Sequence, residues 1–211
     1  MTAGDRTGRE AQLRAYYAKE ISTRAARDLG PRRAELRSEF IELLRREQRD
    51  SILELGCGAG QDGTALNEAG VDYVGVDLTP ESVQHCRQLG LTAEVASVLE
   101  LPFADDTFEA GWTMSTLMHL AHSDLGPALA ECARVLRPGA PLMIGLWGNA
   151  APTTEVSSSE FGDRPFYGTD DNRLRTSLAT IGTVERFDTW QRTDAPSHYQ
   201  VALVRIAEPT R

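Results

Sequence analysis

Cysteine is scarce in this chain of 211 residues: Cys57, Cys86 and Cys132 are an odd number with no Cys-x-x-Cys pair. That argues against a disulfide framework or a zinc knuckle and leaves small apolar thiols suited to a reducing compartment. No apolar run approaches the roughly 18 residues of a membrane span, and the amino-terminal stretch is polar and Arg-rich instead of a signal-peptide core. The expectation is a cytoplasmic protein with no membrane partner. Lysine is nearly missing too, since Lys19 is the one lysine among 22 basic residues, a bias that points to a GC-rich, bacterial genome. Positive charge is also short. The formal charge is −9, and residues 1–49 hold twelve Lys and Arg against eight Asp and Glu, leaving −13 for the rest. A body that acidic repels phosphate backbones, so a small-molecule substrate is expected and no nucleic acid. Repeats and low-complexity tracts are lacking. The 41% hydrophobic and 25% charged residues are ordinary for a folded chain, and the length suffices for one well-cored α/β domain.

What is present begins with helices. Residues 1–9 read as a tail rich in Gly, Thr and charge. From Glu10 to Leu29 apolar residues recur at helical spacing, with Gly30-Pro31 as the stop. A second helix sets Leu36, Phe40, Leu43 and Leu44 on one face and arginines on the other. Strands Ile52–Leu55, Tyr73–Asp77 and Thr92–Ala96 then alternate with helices Gln61–Ala69 and Pro80–Leu89, the latter opened by Thr79-Pro80-Glu81. Strand Phe108–Met114, a helix capped by Ser123 and running to Leu136, and strand Leu142–Trp147 follow. Residues 148–168 read as a loop or lid, Arg173–Ile181 as a helix, and Val184–Trp190 with Tyr199–Ile206 as a terminal hairpin about a polar turn at Arg192–Ser197. The alternation predicts a parallel sheet with helices on both faces. One domain over residues 1–211 is expected: an N-terminal helical cap (1–49), a cofactor-binding core (50–147), and a lid loop, helix and hairpin (148–211).

The chain is organised around Ile52–Gly60, where an apolar run stops in Gly56, Gly58 and Gly60. Glycines in this spacing let a strand turn sharply toward a helix and let a ligand approach the backbone. Asp77 ends the second strand, where a carboxylate can accept from both hydroxyls of a ribose. Together these predict an adenosine-bearing cofactor. The glycines alone leave two cofactors open, because Gly58-Ala-Gly60-Gln-Asp-Gly63 also satisfies the dinucleotide fingerprint.

Four stretches narrow the choice: Glu54-Leu-Gly-Cys-Gly-Ala-Gly60, Val76-Asp77, Leu101-Pro-Phe103 followed by Phe108-Glu109, and Arg134-Val-Leu-Arg-Pro-Gly139. With these the sequence resembles the class I S-adenosylmethionine-dependent methyltransferases of the small-molecule type, over roughly Ile52–Trp147 and more weakly through His198-Tyr-Gln200. The resemblance implies a Rossmann-like, seven-stranded, mostly parallel sheet whose last strand is antiparallel. It also implies S-adenosylmethionine as cofactor and S-adenosylhomocysteine as product. Gly56, Gly58 and Gly60 would let the methionine part lie against the backbone, Asp77 would bind the ribose, Leu78 would pack on the adenine with Ser97 at its amino group, and Glu54, Cys57, Val98, Leu99 and Met114 would complete the cofactor-binding set. Ser97 departs from the pattern, since the family often has there an Asp that accepts from the adenine amino group.

A sulfonium already makes its methyl carbon electrophilic, so the site must chiefly orient a nucleophile and close off water. A base is needed only where the nucleophile carries a proton to lose. His119 is the candidate base, with a loop-structuring role as the rival reading. Tyr17, beside Tyr16, matches in placement the aromatic residues that family members fold over the methyl group, with helix packing as its rival. His119-x-x-His122 with Asp124 lacks a third ligand at fixed spacing, so no metal is expected. Trp147, Phe161, Phe166, Tyr167 and Trp190 could wall an acceptor pocket. The sequence therefore points to methyl transfer onto nitrogen or oxygen of a small molecule, by a monomer or homodimer. An Asn/Asp-Pro-Pro-Tyr motif, which would indicate a nucleic-acid amino group, is replaced by Trp112-Thr-Met-Ser115. An NAD(P)-dependent oxidoreductase and a non-catalytic S-adenosylmethionine-binding protein are the alternatives.

Overall fold

The computed structural model describes residues 3–191 and 197–208, with side chains from Arg6 onward. Its centre is a seven-stranded sheet of order β3-β2-β1-β4-β5-β9-β8. The first five strands, β1 (Ser51–Leu55), β2 (Asp72–Asp77), β3 (Thr92–Val95), β4 (Ala110–Met114) and β5 (Pro141–Gly148), pair in parallel. The last strand in sequence, β9 (His198–Ile206), is antiparallel to both β5 and β8 (Gly182–Gln191). Side chains alternate along these strands, as the pleat requires. Leu53 and Leu55 of β1 face one core with Leu129, Cys132, Leu174 and Leu178, while Ile52 faces the other with Phe40, Leu44, Val83 and Trp112. Helices α5 (Leu125–Val135) and α6 (Asp171–Leu178) thus cover one face, and α2 (Pro31–Glu47), α3 (Gln61–Glu68) and α4 (Pro80–Gln88) the other. Among the described residues no helix is long and apolar enough to cross a membrane.

A buried ionic cluster fixes α2 to the sheet. Asp62, in the first turn of α3, accepts from Arg33 (Nε, 2.7 Å, and also Nη2), Arg37 Nη1 (2.8 Å) and Trp112 Nε1 (2.9 Å). The Arg134–Gly139 stretch is equally structural. Arg134 donates to the carbonyls of Phe103 (2.8 Å) and Leu101 (3.1 Å), pinning the Leu-Pro-Phe loop to α5. His198 and Gln200 both reach Asp171 Oδ1 (2.7 Å each), which ties β9 to the start of α6.

Several elements differ from the sequence reading, each for a tertiary reason. Helix α1 spans Ala3–Ala25, so residues 3–9 are helical instead of a tail and the helix ends before Leu29. Arg9 anchors its first turns to Asp124 at 2.7 Å, overriding the poor helix propensity of Thr7 and Gly8. Gly30, at φ 80°, is the N-cap of α2 with Pro31 at its first position, so Gly-Pro starts a helix as much as it stops one. Residues 148–168 contain a hairpin, β6 (Glu155–Ser159) and β7 (Gly162–Phe166), where a loop was expected. A lone two-stranded ribbon is marginal in water. This one is held by α1, through Gln12 Nε2 to the Asp163 carbonyl (3.1 Å) and Ser159 Oγ to the Tyr16 hydroxyl (3.0 Å). Asp124, not Ser123, occupies the N-cap of α5, without a side-chain cap bond, because Arg9 takes its carboxylate. Strand β4 begins at Ala110, since Phe108 pairs with Leu136 in an isolated bridge. Most of the turn expected at Arg192–Ser197 lies outside the described residues.

Candidate active site

The chain runs outward from β1 through β2 to β3 and returns on the other side of β1 as β4, so the carboxyl ends of β1 and β4 flank a switch point. Gly56, at φ 81°, makes the turn after β1; its amide and that of Cys57 both donate to the Val76 carbonyl, at 2.8 and 3.0 Å. A Cβ at Gly56 would stand 2.0 Å from Thr116 Oγ1, so no other residue fits between the two strand ends. The Asp77 carboxylate accepts from the amides of Gly58 and Thr79, each at 2.9 Å, one per oxygen. Burial pushes its pKa up and these two donors pull it back. Both oxygens keep a lone pair for an outside donor.

These groups line a cavity of about 860 Å³, counted out to open solvent. Of the residues singled out in the sequence, Gly56, Gly58, Asp77, Leu78, Ser97, Val98, Leu99, Tyr17 and His119 stand on its wall. Glu54, Cys57 and Gly60 do not. Glu54 is buried on the opposite face of β1, where it accepts from the Tyr73 hydroxyl at 2.6 Å, and burial beside Asp62 raises its pKa well above the carboxylate range. Cys57 turns inward to Cys86, with the sulfurs 3.6 Å apart, and Gly60 is the N-cap of α3, where a Cβ would crowd Leu91, Cys86 and Leu89. Met114 lines a second, neighbouring cleft.

Helix α1 roofs the cavity, and it carries a residue that the sequence reading missed. Glu10 Oε1 accepts from Ser97 Oγ at 2.9 Å, placing a carboxylate where Ser97 has none. Arg6 and Arg14, one turn away on either side, flank it at 3.4 Å each. That i±4 spacing was readable, but nothing local tied Glu10 to a serine 87 positions away.

Tyr17 and His119 form a hydrogen-bonded pair. His119 Nδ1 lies 2.8 Å from the Pro165 carbonyl, which can only accept, so that nitrogen carries the proton. Nε2 therefore accepts from the Tyr17 hydroxyl, 2.6 Å away. Arg164 Nη1 of β7 donates to the same hydroxyl oxygen at 3.2 Å. Burial raises the Tyr17 pKa, with the Arg24 and Arg164 charges opposing it. Burial, reinforced by those arginines, lowers His119 to about 4. With both its nitrogens engaged, His119 has none left for a metal, and His122 Nε2 is itself spent on the Thr153 carbonyl at 3.2 Å.

The depressed His119 pKa carries a stability prediction. Between its ordinary value of 6.5 and about 4, the unfolded chain holds the His119 proton and the folded chain does not. Stability therefore falls as pH drops through that window, by up to about 3 kcal/mol from this residue. Urea midpoints of His119→Asn are expected to fall less than those of wild type over the same range, and equal slopes would contradict a buried neutral imidazole.

The second cleft, about 1700 Å³ counted out to solvent, lies on the far side of Tyr17, Arg24 and Ser115, the three residues common to both walls. Trp147, Phe166 and Trp190 line it, whereas Phe161 packs edge-on against Tyr16 and Tyr167 is buried beside His122. Ser115 sits at φ 60°, a conformation that costs a non-glycine residue and recurs at functional sites. Its amide bonds the Gly145 carbonyl at 2.7 Å and its hydroxyl meets Tyr199 Oη at 3.0 Å.

Comparison with known proteins places this geometry. Residues 52–139, from β1 through the turn before β5, match the family described as methyltransferase domain. Residues 52–139 thus carry a methyltransferase domain. Among curated relatives, the methyltransferase domain is 32% identical over 102 residues to the O-methyltransferase resE of Aspergillus sclerotiorum, covering 44% of this chain and 38% of that one. It is 30% identical over 105 residues to the 27-O-demethylrifamycin SV methyltransferase of Amycolatopsis mediterranei, covering 46% and 38%. The matched stretch thus spans under two fifths of either relative. The methyltransferase fold extends further than the sequence match. The Burkholderia thailandensis 1,6-didemethyltoxoflavin-N1-methyltransferase, solved with 1,6-didemethyltoxoflavin and S-adenosylhomocysteine, superposes with a TM-score of 0.73 at 22% identity over 99% of this chain and 92% of that one.

Proposed function

We propose that the protein transfers a methyl group from S-adenosylmethionine to a nitrogen or oxygen of a small molecule. One observation carries this reading: a cavity with a bare glycine turn opposite a tethered carboxylate meets a second, aromatic cleft at Tyr17 and Ser115. The first cavity fits the cofactor by its donor set. Gly56 and Gly58 leave backbone for the methionine part, Asp77 offers two acceptors to the ribose, and Leu78, Val98 and Leu99 offer apolar walls to the adenine. Glu10 would take the adenine amino hydrogen in place of the acid that Ser97 lacks. The relatives named above act, by their names, at oxygen and at nitrogen, which supports either atom as acceptor. Three free, buried thiols suit the cytoplasm.

When bound, S-adenosylmethionine supplies an electrophilic methyl on a sulfonium whose charge vanishes on transfer. Tyr17 stands at the boundary between the two spaces and orients the acceptor there. An acceptor proton passes to Tyr17 Oη as the hydroxyl's own proton moves along its hydrogen bond to His119 Nε2, the unprotonated nitrogen of the fixed tautomer. Helix α1 and the β6–β7 hairpin exclude water. With labelled S-adenosylmethionine and a panel of small acceptors, wild type is expected to move label into an acceptor. Label that stays in the cofactor across the whole panel would contradict the reading. Glu10→Ala is expected to raise the dissociation constant for S-adenosylhomocysteine about tenfold, as loss of one charge-assisted hydrogen bond does. Calorimetry checks this, and unchanged affinity would remove Glu10 from the adenine end.

A further inference from the structure

The second cleft carries a charge pattern at odds with the chain. In a protein of formal charge −9, five arginines line it (Arg24, Arg27, Arg32, Arg33 and Arg164) against two acids, Asp28 and Glu155. Their internal counter-charges are few. Among the described residues Glu20 alone serves Arg27 at 3.0 Å, Arg24 at 3.3 Å and Arg164 at 3.9 Å, and Arg32 pairs with Glu35 at 3.2 Å. Asp62 is shared by Arg33 and Arg37. Asp28 is already accepting from the Gly30 amide at 2.8 Å. A cleft of one sign with apolar walls concentrates ligands of the other sign.

Arg164 is the best placed of the five. Its guanidinium sits among three rings, 4.7 Å from the centroid of Tyr16, 5.8 Å from Tyr17 and 4.9 Å from Phe166. One nitrogen holds the Tyr17 hydroxyl, and its buried Nε has no hydrogen-bond partner among the described residues. With Nε enclosed, the outer edge formed by the two Nη nitrogens is the part of the guanidinium left to meet a carboxylate. The spacing adds a constraint on the ligand. Arg164 and the Tyr17 hydroxyl are 3.2 Å apart, so a substrate that engages both carries its anionic group and its nucleophile on neighbouring ring atoms. Phe166, beside Arg164, and Trp147 and Trp190 give the cleft aromatic walls for the ring.

We propose that the acceptor is a planar aromatic acid with its hydroxyl or amine ortho to the carboxylate, the carboxylate held by Arg164 and the nucleophile at Tyr17. This rests on the methyl-transfer reading above. In the step, the acceptor oxygen or nitrogen forms a bond to the methyl carbon as the carbon–sulfur bond breaks. The electron pair returns to sulfur to give S-adenosylhomocysteine, and the acceptor's proton leaves through Tyr17.

The test uses wild-type protein loaded with S-adenosylhomocysteine, with binding read by tryptophan fluorescence, since Trp147 and Trp190 line the cleft. The probes are 2-hydroxybenzoate and 2-aminobenzoate, their neutral amides, and the 4-substituted acids. The ortho acids are expected to bind at least tenfold more tightly than the amides, and to be methylated faster than the 4-isomers when S-adenosylmethionine replaces the product. Arg164→Gln is expected to bring the acid-to-amide ratio to about one while the affinity for S-adenosylhomocysteine stays within twofold. Equal binding of acids and amides in wild type, or a ratio unchanged in Arg164→Gln, would overturn the assignment. If the glutamine variant does not fold, the wild-type ratio between about 50 and 500 mM salt decides, a fall supporting an arginine anchor and a constant ratio contradicting it. The two readings fail separately. Selective binding of ortho acids with no transfer to any acceptor supports the ligand class and contradicts methyl transfer, whereas equal methylation of acids and amides overturns the class alone.

Discussion

Asp77→Ala is expected to raise the dissociation constant for S-adenosylhomocysteine about 30- to 150-fold, or about 2 to 3 kcal/mol. The expectation follows from how the carboxylate is held. The amides of Gly58 and Thr79 each take one oxygen at 2.9 Å, which aims the remaining lone pairs into the cavity before any ligand arrives. Alanine removes both acceptors from the ribose and leaves the two amides without their partner, so the loss exceeds that of a single exposed hydrogen bond. Asp77→Asn keeps one carbonyl acceptor and is expected to fall between the two. Calorimetry on folded variants measures this, and an affinity unchanged by alanine would take Asp77 out of the site.

Tyr17→Phe is expected to lower turnover about 100-fold, within the range of general acid–base contributions, with the affinity for S-adenosylhomocysteine within about twofold of wild type. The phenyl ring keeps its contacts with Tyr16 and Arg164 and loses only the hydroxyl that links His119 to the acceptor side. His119→Asn is expected to resemble it, and the double variant to be no worse than either single one, because the two residues pass one proton between them. Multiplying losses would mean that they act separately. An unaffected rate in Tyr17→Phe would leave the pair a packing role.

How much of this could be read from the sequence depends on the range of the interaction. The turn at Gly56 and Gly58 and the carboxylate at Asp77 were legible because each is set within one strand–turn–helix unit: an apolar run, a backbone needing positive φ, an acid at a strand end. The seven-stranded, mostly parallel sheet with an antiparallel last strand was legible once the family motifs were recognised, whereas the strand order came from the structure. Glu54 misled because it sits in the motif yet faces the wrong side of β1, a consequence of the two-residue period that the glycine pattern does not display. The β6–β7 hairpin was hidden for another reason. Its Ser-rich strands and Pro165 carry no strong local preference, and α1 stabilises them from about 150 residues away. Glu10 and Arg164 came to light with it. Both act through contacts made by α1, the element whose first turns the composition had assigned to a tail.

If the cavity between Gly56 and Asp77 is an S-adenosylmethionine site, a thermal-shift comparison of S-adenosylmethionine, S-adenosylhomocysteine and NAD with the wild-type protein will show it. At about 100 times its dissociation constant a ligand adds about 2.7 kcal/mol, which for a chain of this size moves the midpoint by about 5 to 10 °C. S-adenosylmethionine and S-adenosylhomocysteine are expected to produce that shift in wild type and to lose most of it in Asp77→Ala at the same concentration, while NAD leaves the midpoint in place. A shift with NAD and none with the two methionine compounds would contradict the account.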